Sequence, residues 1–203
     1  MRSNEPVVPL LELEDFPLDC REAAENIQKR SGRISNSQRA TAHAGQLSAT
    51  TRSYLEQTWH QGSLSRELRA LIRYKVSNAN FCRYCTAHQI GYLKRFGVSD
   101  TQLHDLNRLS ESPEFTREEK AAMNFAEALT RDSANIPVEI TDEFKECFSP
   151  QQRVEIAIVA SAMSMLNKIN DSLNVPLEDD FLEFTDLLPQ PESSGQSSSQ
   201  SEN

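Results

Sequence analysis

Apolar positions recur along most of this chain at spacings of three and four, and no run alternates with period two for long enough to make a strand. The pattern predicts helices over Leu18–Lys29, Leu47–Trp59 and Ser65–Ser77, the last with Leu68, Leu71, Ile72 and Val76 at helical spacing. Another is expected from about Phe81 to Phe96. Gly97 stops it, because glycine readily takes the left-handed conformation that closes a helix. Ser99 with Gln102, and Thr116 with Glu119, have capping-box spacing, in which each side chain satisfies the other residue's backbone N–H. They open a short helix to Leu109 and a longer one striped by Ala122, Phe125, Ala126 and Leu129. Ile140–Phe148 predicts a further short helix with Phe144 and Phe148 facing inward. Ser149-Pro150-Gln151-Gln152 is a start signal: an N-cap serine, then proline where the helix needs no N–H donor. The helix it opens runs to about Leu173 and is apolar nearly all round, through Val154, Ile156, Ile158, Val159, Met163, Met165 and Leu166. Such a helix is central to the fold or packs on a second subunit. The expected fold class is all-α.

The ends read differently. Pro6, Pro9 and Pro17 forbid a regular helix over residues 1–17, an extended arm whose Leu10, Leu11, Leu13 and Phe16 can lie along a groove. Residues 18–188 form the expected helical domain. Residues 189–203 contain only Pro, Gln, Glu, Ser, Gly and Asn, too little apolar surface to order, so a disordered tail is expected. Within 203 residues the net charge is −9 with no basic cluster, which argues against nucleic acid or anionic membrane as a partner. No apolar run is long enough for a bilayer and the start does not resemble a signal peptide, so a cytoplasmic location is expected. Neither a dinucleotide-binding glycine motif, a Walker A loop nor a G-x-S-x-G elbow is present.

The chemistry concentrates in Cys82-Arg83-Tyr84-Cys85-Thr86-Ala87-His88. Two cysteines three apart on a helix have Cα atoms roughly 5–6 Å apart, within disulfide reach. His88 falls on the same face one turn further. A nucleophile, a resolving thiol and a titrating base are the parts thiol redox chemistry needs. The same spacing fits half a zinc site, although four ligands are usual and Cys20 and Cys147 stand apart, or two inert core thiols. Which cysteine attacks is open on these grounds. A helix N-terminus favours a thiolate at Cys82, whereas His88 is nearer to Cys85.

The order Arg66-Glu67-Leu68, Lys75 through His88, Phe96-Gly97-Val98-Ser99, Ser112-Pro113-Glu114-Phe115-Thr116, Glu119 through Ala126 and Leu166 through Asp171 resembles the carboxymuconolactone decarboxylase superfamily, on its AhpD-like alkylhydroperoxidase side. The likeness covers roughly residues 47–176. It implies an all-helical AhpD-like fold that assembles as a dimer, trimer or hexamer. It also implies peroxidase or thiol–disulfide activity in which Cys85 attacks a peroxide and Cys82 resolves it. Decarboxylase members lack the cysteine pair, which argues against lactone decarboxylation here. The chain departs from the better-studied peroxidases at two positions. Their histidine four residues after the second cysteine is Gln89, with His88 at three; their relay glutamate twelve residues before the first cysteine is Ala70. Glu67 lies one turn upstream and is the candidate substitute.

The functional expectation is therefore a hydroperoxide reductase served by a dithiol reductant, a protein or a small thiol, with Cys85, Cys82, His88 and Glu67 as site residues and no cofactor or metal. A redox-sensing or thiol-exchange protein without fast turnover and a lactone lyase are the competing readings.

Overall fold

The computed structural model describes residues 5–188, so the expected tail from Pro189 lies outside the described residues. Within that span the chain is helical, with short 3₁₀ stretches and no strand. The helices are α1 (Leu18–Ser31), α2 (Asn36–Thr41), α3 (Gln46–His60), α4 (Arg66–Ala79), α5 (Arg83–Arg95), α6 (Asp100–Asp105), α7 (Arg117–Arg131), α8 (Val138–Cys147) and α9 (Pro150–Ser172). Both capping boxes form, at Ser99–Gln102 and Thr116–Glu119, and so does the Ser149–Gln152 box that opens α9.

α4 is the hub, packed on α5, α7 and α9. Its nine successive buried residues from Arg69 to Ser77 explain the position: little of its circumference faces water. One core joins α4, α7, α8 and α9 through Ile72, Val76, Ala122, Phe144, Ile156 and Met163. A second lies between α4, α5 and α6, through Ala70, Tyr74, Ala87, Ile90, Leu93 and Leu103. The near-continuous apolar run of α9 resolves into two faces. Ile156, Val159, Met163 and Leu166 are buried, while Val154, Ile158 and Met165 form an exposed stripe.

Two segments missing from the periodic pattern shape the site. α2 carries a capping box between Ser35 and Gln38 but is too short to show a period. After α9 the chain returns as a 3₁₀ strap, Asp179–Leu187, laid across α5. The close approach falls at Gly91: a Cβ there would come 2.8 Å from Phe181 and 3.1 Å from Phe184. Residues 5–17 are extended apart from one 3₁₀ turn. Leu10 packs on the main core, and Phe16 is buried beside Cys20 and Ala24 of α1.

Candidate active site

The turn between α4 and α5 builds the site. Phe81 adopts φ +59, the left-handed region, and Cys82 N–H donates to Ser77 C=O at 3.0 Å. This closure reverses the chain and aims the start of α5 into the core. The helix therefore begins at Arg83, two residues later than periodicity predicts, with Cys82 as its N-cap. The Cys82 sulfur accepts the Cys85 N–H at 3.4 Å. Cys82 is wholly buried, and Cys85 is 2% exposed. Both are free thiols.

Their environments differ. The Cys82 thiol hydrogen-bonds to the Cys85 sulfur. That bond, together with burial and the negative charge a Cys85 thiolate would carry, pushes Cys82 well above the ordinary thiol range. The helix N-terminus that favours a thiolate at Cys82 is thus outweighed locally, and Cys82 is held as a thiol. The Cys85 sulfur accepts a second hydrogen bond, from Asn170 Nδ2 on α9 at 3.2 Å. Asn170 Oδ1 in turn accepts from the Ser37 hydroxyl at 2.7 Å.

His88 faces a carboxylate that no local spacing announced. Its Nε2 lies 2.8 Å from Glu178 Oε2, just ahead of the strap. Glu178 Oε1 accepts from Asn36 N–H at 2.6 Å and from the Tyr84 hydroxyl at 2.9 Å. Burial alone would raise the Glu178 carboxyl. The hydrogen bond and charge of His88, with the Asn36 N–H, outweigh that and hold it down at about 2. Tyr84 is pushed the other way, by burial and by the charge of Glu178, and stays a hydroxyl donor. The imidazole is sandwiched: Phe181 stacks on it at 4.0 Å between centroids and Tyr84 leans on it at 4.5 Å.

Cys85 and His88 line a cavity of about 750 Å³ between α1, α3, α4, α5 and α9, within the range of small-molecule sites. Trp59, Tyr84 and Tyr92 supply aromatic wall, and Met163 and Leu166 apolar wall. Cys82 does not line it.

Three of the four expected site residues, Cys82, Cys85 and His88, are brought together. Glu67 is not. It is exposed in the first turn of α4, while the cysteine pair lies beyond the last turn of that helix, some 18 Å along the axis. One turn nearer, Ala70, the position at which the resemblance implies a relay glutamate, is buried in the second core. Glu178 is the carboxylate that reaches His88. Asn167 and Asn170 are buried polar groups near the end of the apolar α9. Asn167 joins Asn80 and Ser77, whereas Asn170 is aimed at the Cys85 sulfur. Tyr84 packs on His88 and ties Glu178 to Ser37. Among the described residues no His, Cys, Asp and Glu cluster of three or more could hold a metal, and no helix is long and apolar enough to cross a membrane.

A model of the carboxymuconolactone decarboxylase family matches residues 45–128, which carry α4, the cysteine turn and α5. Over that segment the chain is similar to the carboxymuconolactone decarboxylase family, and its fold is the all-α AhpD-like one. A relative from Bacillus subtilis (strain 168), the uncharacterized protein YdfG, is 26% identical over 117 residues, covering 57% of this chain and 80% of that one. The AhpD-like architecture extends further than the matched segment. An uncharacterized peroxidase-related protein from Ralstonia eutropha JMP134, with an alkylhydroperoxidase AhpD core, superposes with a TM-score of 0.78 at 19% identity, covering 91% of this chain and 98% of that one. The debrominase Bmp8, in complex with 2,3,4-tribromopyrrole, does so with a TM-score of 0.80 at 20% identity, covering 91% and 100%.

Proposed function

We propose that this AhpD-like chain is a thiol-dependent hydroperoxide reductase in which Cys85 attacks and Cys82 resolves. The observation that carries this reading is the asymmetry of the pair: Cys85 forms part of the cavity wall, while Cys82 lies buried off the cavity and hydrogen-bonds to the Cys85 sulfur.

In the first step the Cys85 thiolate attacks the terminal oxygen of ROOH. The O–O bond breaks, the alkoxide leaves as ROH with a proton delivered through His88, and Cys85 becomes a sulfenic acid. Cys82 then attacks that sulfur; the S–S bond forms and water leaves, carrying the Cys82 hydrogen. The sum is ROOH plus two thiols giving ROH, water and a disulfide. A second dithiol reopens the disulfide by exchange. Electrons come from the thiols, so these steps call for no flavin or metal. Glu178 fills the part that the glutamate absent at Ala70 plays in related peroxidases: it orients and charge-balances His88.

The aromatic wall favours a second substrate for the same electrons. A halogenated ring against Trp59 and Tyr92 would pass its halogen to Cys85 and take up a proton. Cys82 would then displace halide from sulfur to give the same disulfide. The exposed α9 stripe of Val154, Ile158 and Met165 makes self-association the expected state, checked by sedimentation over a concentration series.

The test is consumption of cumene hydroperoxide or of a bromopyrrole with a generic dithiol. Cys85→Ser is expected to abolish turnover and Cys82→Ser to stop after one, with a sulfenic acid trapped at Cys85 when peroxide is used. His88→Ala is expected to slow turnover about 10²-fold. A Cys85→Ser protein that still forms sulfenic acid at full rate overturns the assignment. Disulfide formation without turnover points to a redox sensor, and lactone cleavage that survives loss of both cysteines points to a lyase.

A further inference from the structure

The cavity in front of Cys85 has a charge opposite to that of the chain. The protein carries −9, yet among the described residues six arginines line this space, Arg30, Arg33, Arg52, Arg66, Arg73 and Arg95, against a single acidic side chain, Glu56. Glu56 is engaged by Arg30 and His60, and Arg33 pairs with Asp180 of the strap. Among the described residues none of the other four arginines has a carboxylate within ion-pair distance, although Glu56 acts on Arg52 and Arg73 from further off. Arg73 is the informative one. It is 5% exposed, and its Nε has no hydrogen-bond partner among the described residues. Its guanidinium is 5.1 Å from the Trp59 ring and 5.4 Å from the Tyr92 ring. Those rings offset only part of the cost of burying a charge. Burial lowers Arg73 to about 10, which leaves it cationic at neutral pH. The Trp59 indole N–H, on the same wall, is likewise buried with no acceptor among the described residues.

Resting on the thiol-reductase reading, we propose that the cavity selects anionic substrates, an electrophile at Cys85 joined to an acid group held by Arg73, with Arg52, Arg66 and Arg95 drawing it in. A carboxylate accepts from a guanidinium fork and from the indole N–H together, and it neutralises the mutual repulsion of the arginines. The apolar wall of Met163 and Leu166 receives the rest of the molecule.

The direct test needs no turnover. Cys85 in the reduced protein is alkylated with iodoacetate or iodoacetamide, and the rates are read by mass on the Cys85 peptide. The expected result is a faster reaction with the anionic reagent, the preference falling about tenfold in Arg73→Gln and a few-fold in Arg66→Gln, and falling with salt. Arg66 is exposed, so its variant should fold even if the Arg73 variant does not. A slower reaction with iodoacetate in the wild type, unchanged by Arg66→Gln, overturns the inference. In parallel, turnover is compared between 4-carboxycumene hydroperoxide and its methyl ester. If neither is consumed but iodoacetate is still preferred, the reductase reading falls and the anion site stands. If both are consumed equally and iodoacetate is slower, the reductase stands and the anion site falls.

Discussion

Replacing Glu178 by glutamine removes the charge that His88 faces while keeping the shape of the side chain. Glu178 has three partners, at 2.6 Å (Asn36 N–H), 2.9 Å (Tyr84) and 2.8 Å (His88). Folding holds its carboxyl near 2 in place of the ordinary 4.5. That difference corresponds to about 3 kcal/mol of linked stability; solvent screening at a partly open site brings it to about 1.5 kcal/mol. The sign follows from the depressed folded value: the contribution is present above the unfolded value of 4.5 and is lost as pH falls towards 2. Urea unfolding of wild type and Glu178→Gln in steps from pH 7 to pH 3 reads it out. The wild type should be about 1.5 kcal/mol more stable at pH 7, roughly 3–6 °C in Tm for a chain this size, and the gap should shrink by more than half by pH 3. A gap that stays constant across that range would falsify the argument, since it would mean that Glu178 folds without feeling His88.

Three other substitutions probe the frame around the site. Gly91→Ala gains roughly 1 kcal/mol of helix propensity but forces Phe181 and Phe184 off α5, an overpacking cost of about 1–3 kcal/mol; thermal unfolding should show net loss, with faster proteolysis after Leu173, and a stabilised variant contradicts the close approach. Phe81→Gly relieves a left-handed residue that is 76% exposed and so gives up little packing; chemical denaturation should show stability unchanged or raised by about 0.5 kcal/mol, and a loss above about 1 kcal/mol would give Phe81 a contact the fold does not reveal. Glu127→Gln strands the Lys75 ammonium, 7% exposed and 2.9 Å from its carboxylate, and should cost about 2 kcal/mol; Lys75→Met in the same protein should recover most of it, and a double-mutant cycle with no coupling removes the pair from the account.

The sequence alone determined the longer helices and the dithiol, but not the short α2 or the 3₁₀ strap. Periodicity and capping boxes are local properties, and the Cys82, Cys85 and His88 spacing is set by one turn of one helix, so each is legible without knowing what packs on it. Phe81 escaped because left-handed closure at a bulky residue has no compositional sign. Only the tertiary structure decided the rest. Glu178 reaches His88 across ninety residues because the strap crosses α5 where Gly91 leaves room, whereas Glu67, three residues from the expected glutamate position, points to solvent at the far end of α4. Asn170 meets Cys85 only because α9 packs beside α5, and the arginines of α1, α3, α4 and α5 converge on one space only after those helices assemble. Charge counted along the chain reports an acidic protein; charge counted around the cavity reports a cationic site, because the field at a point depends on distance in space rather than on order in the sequence.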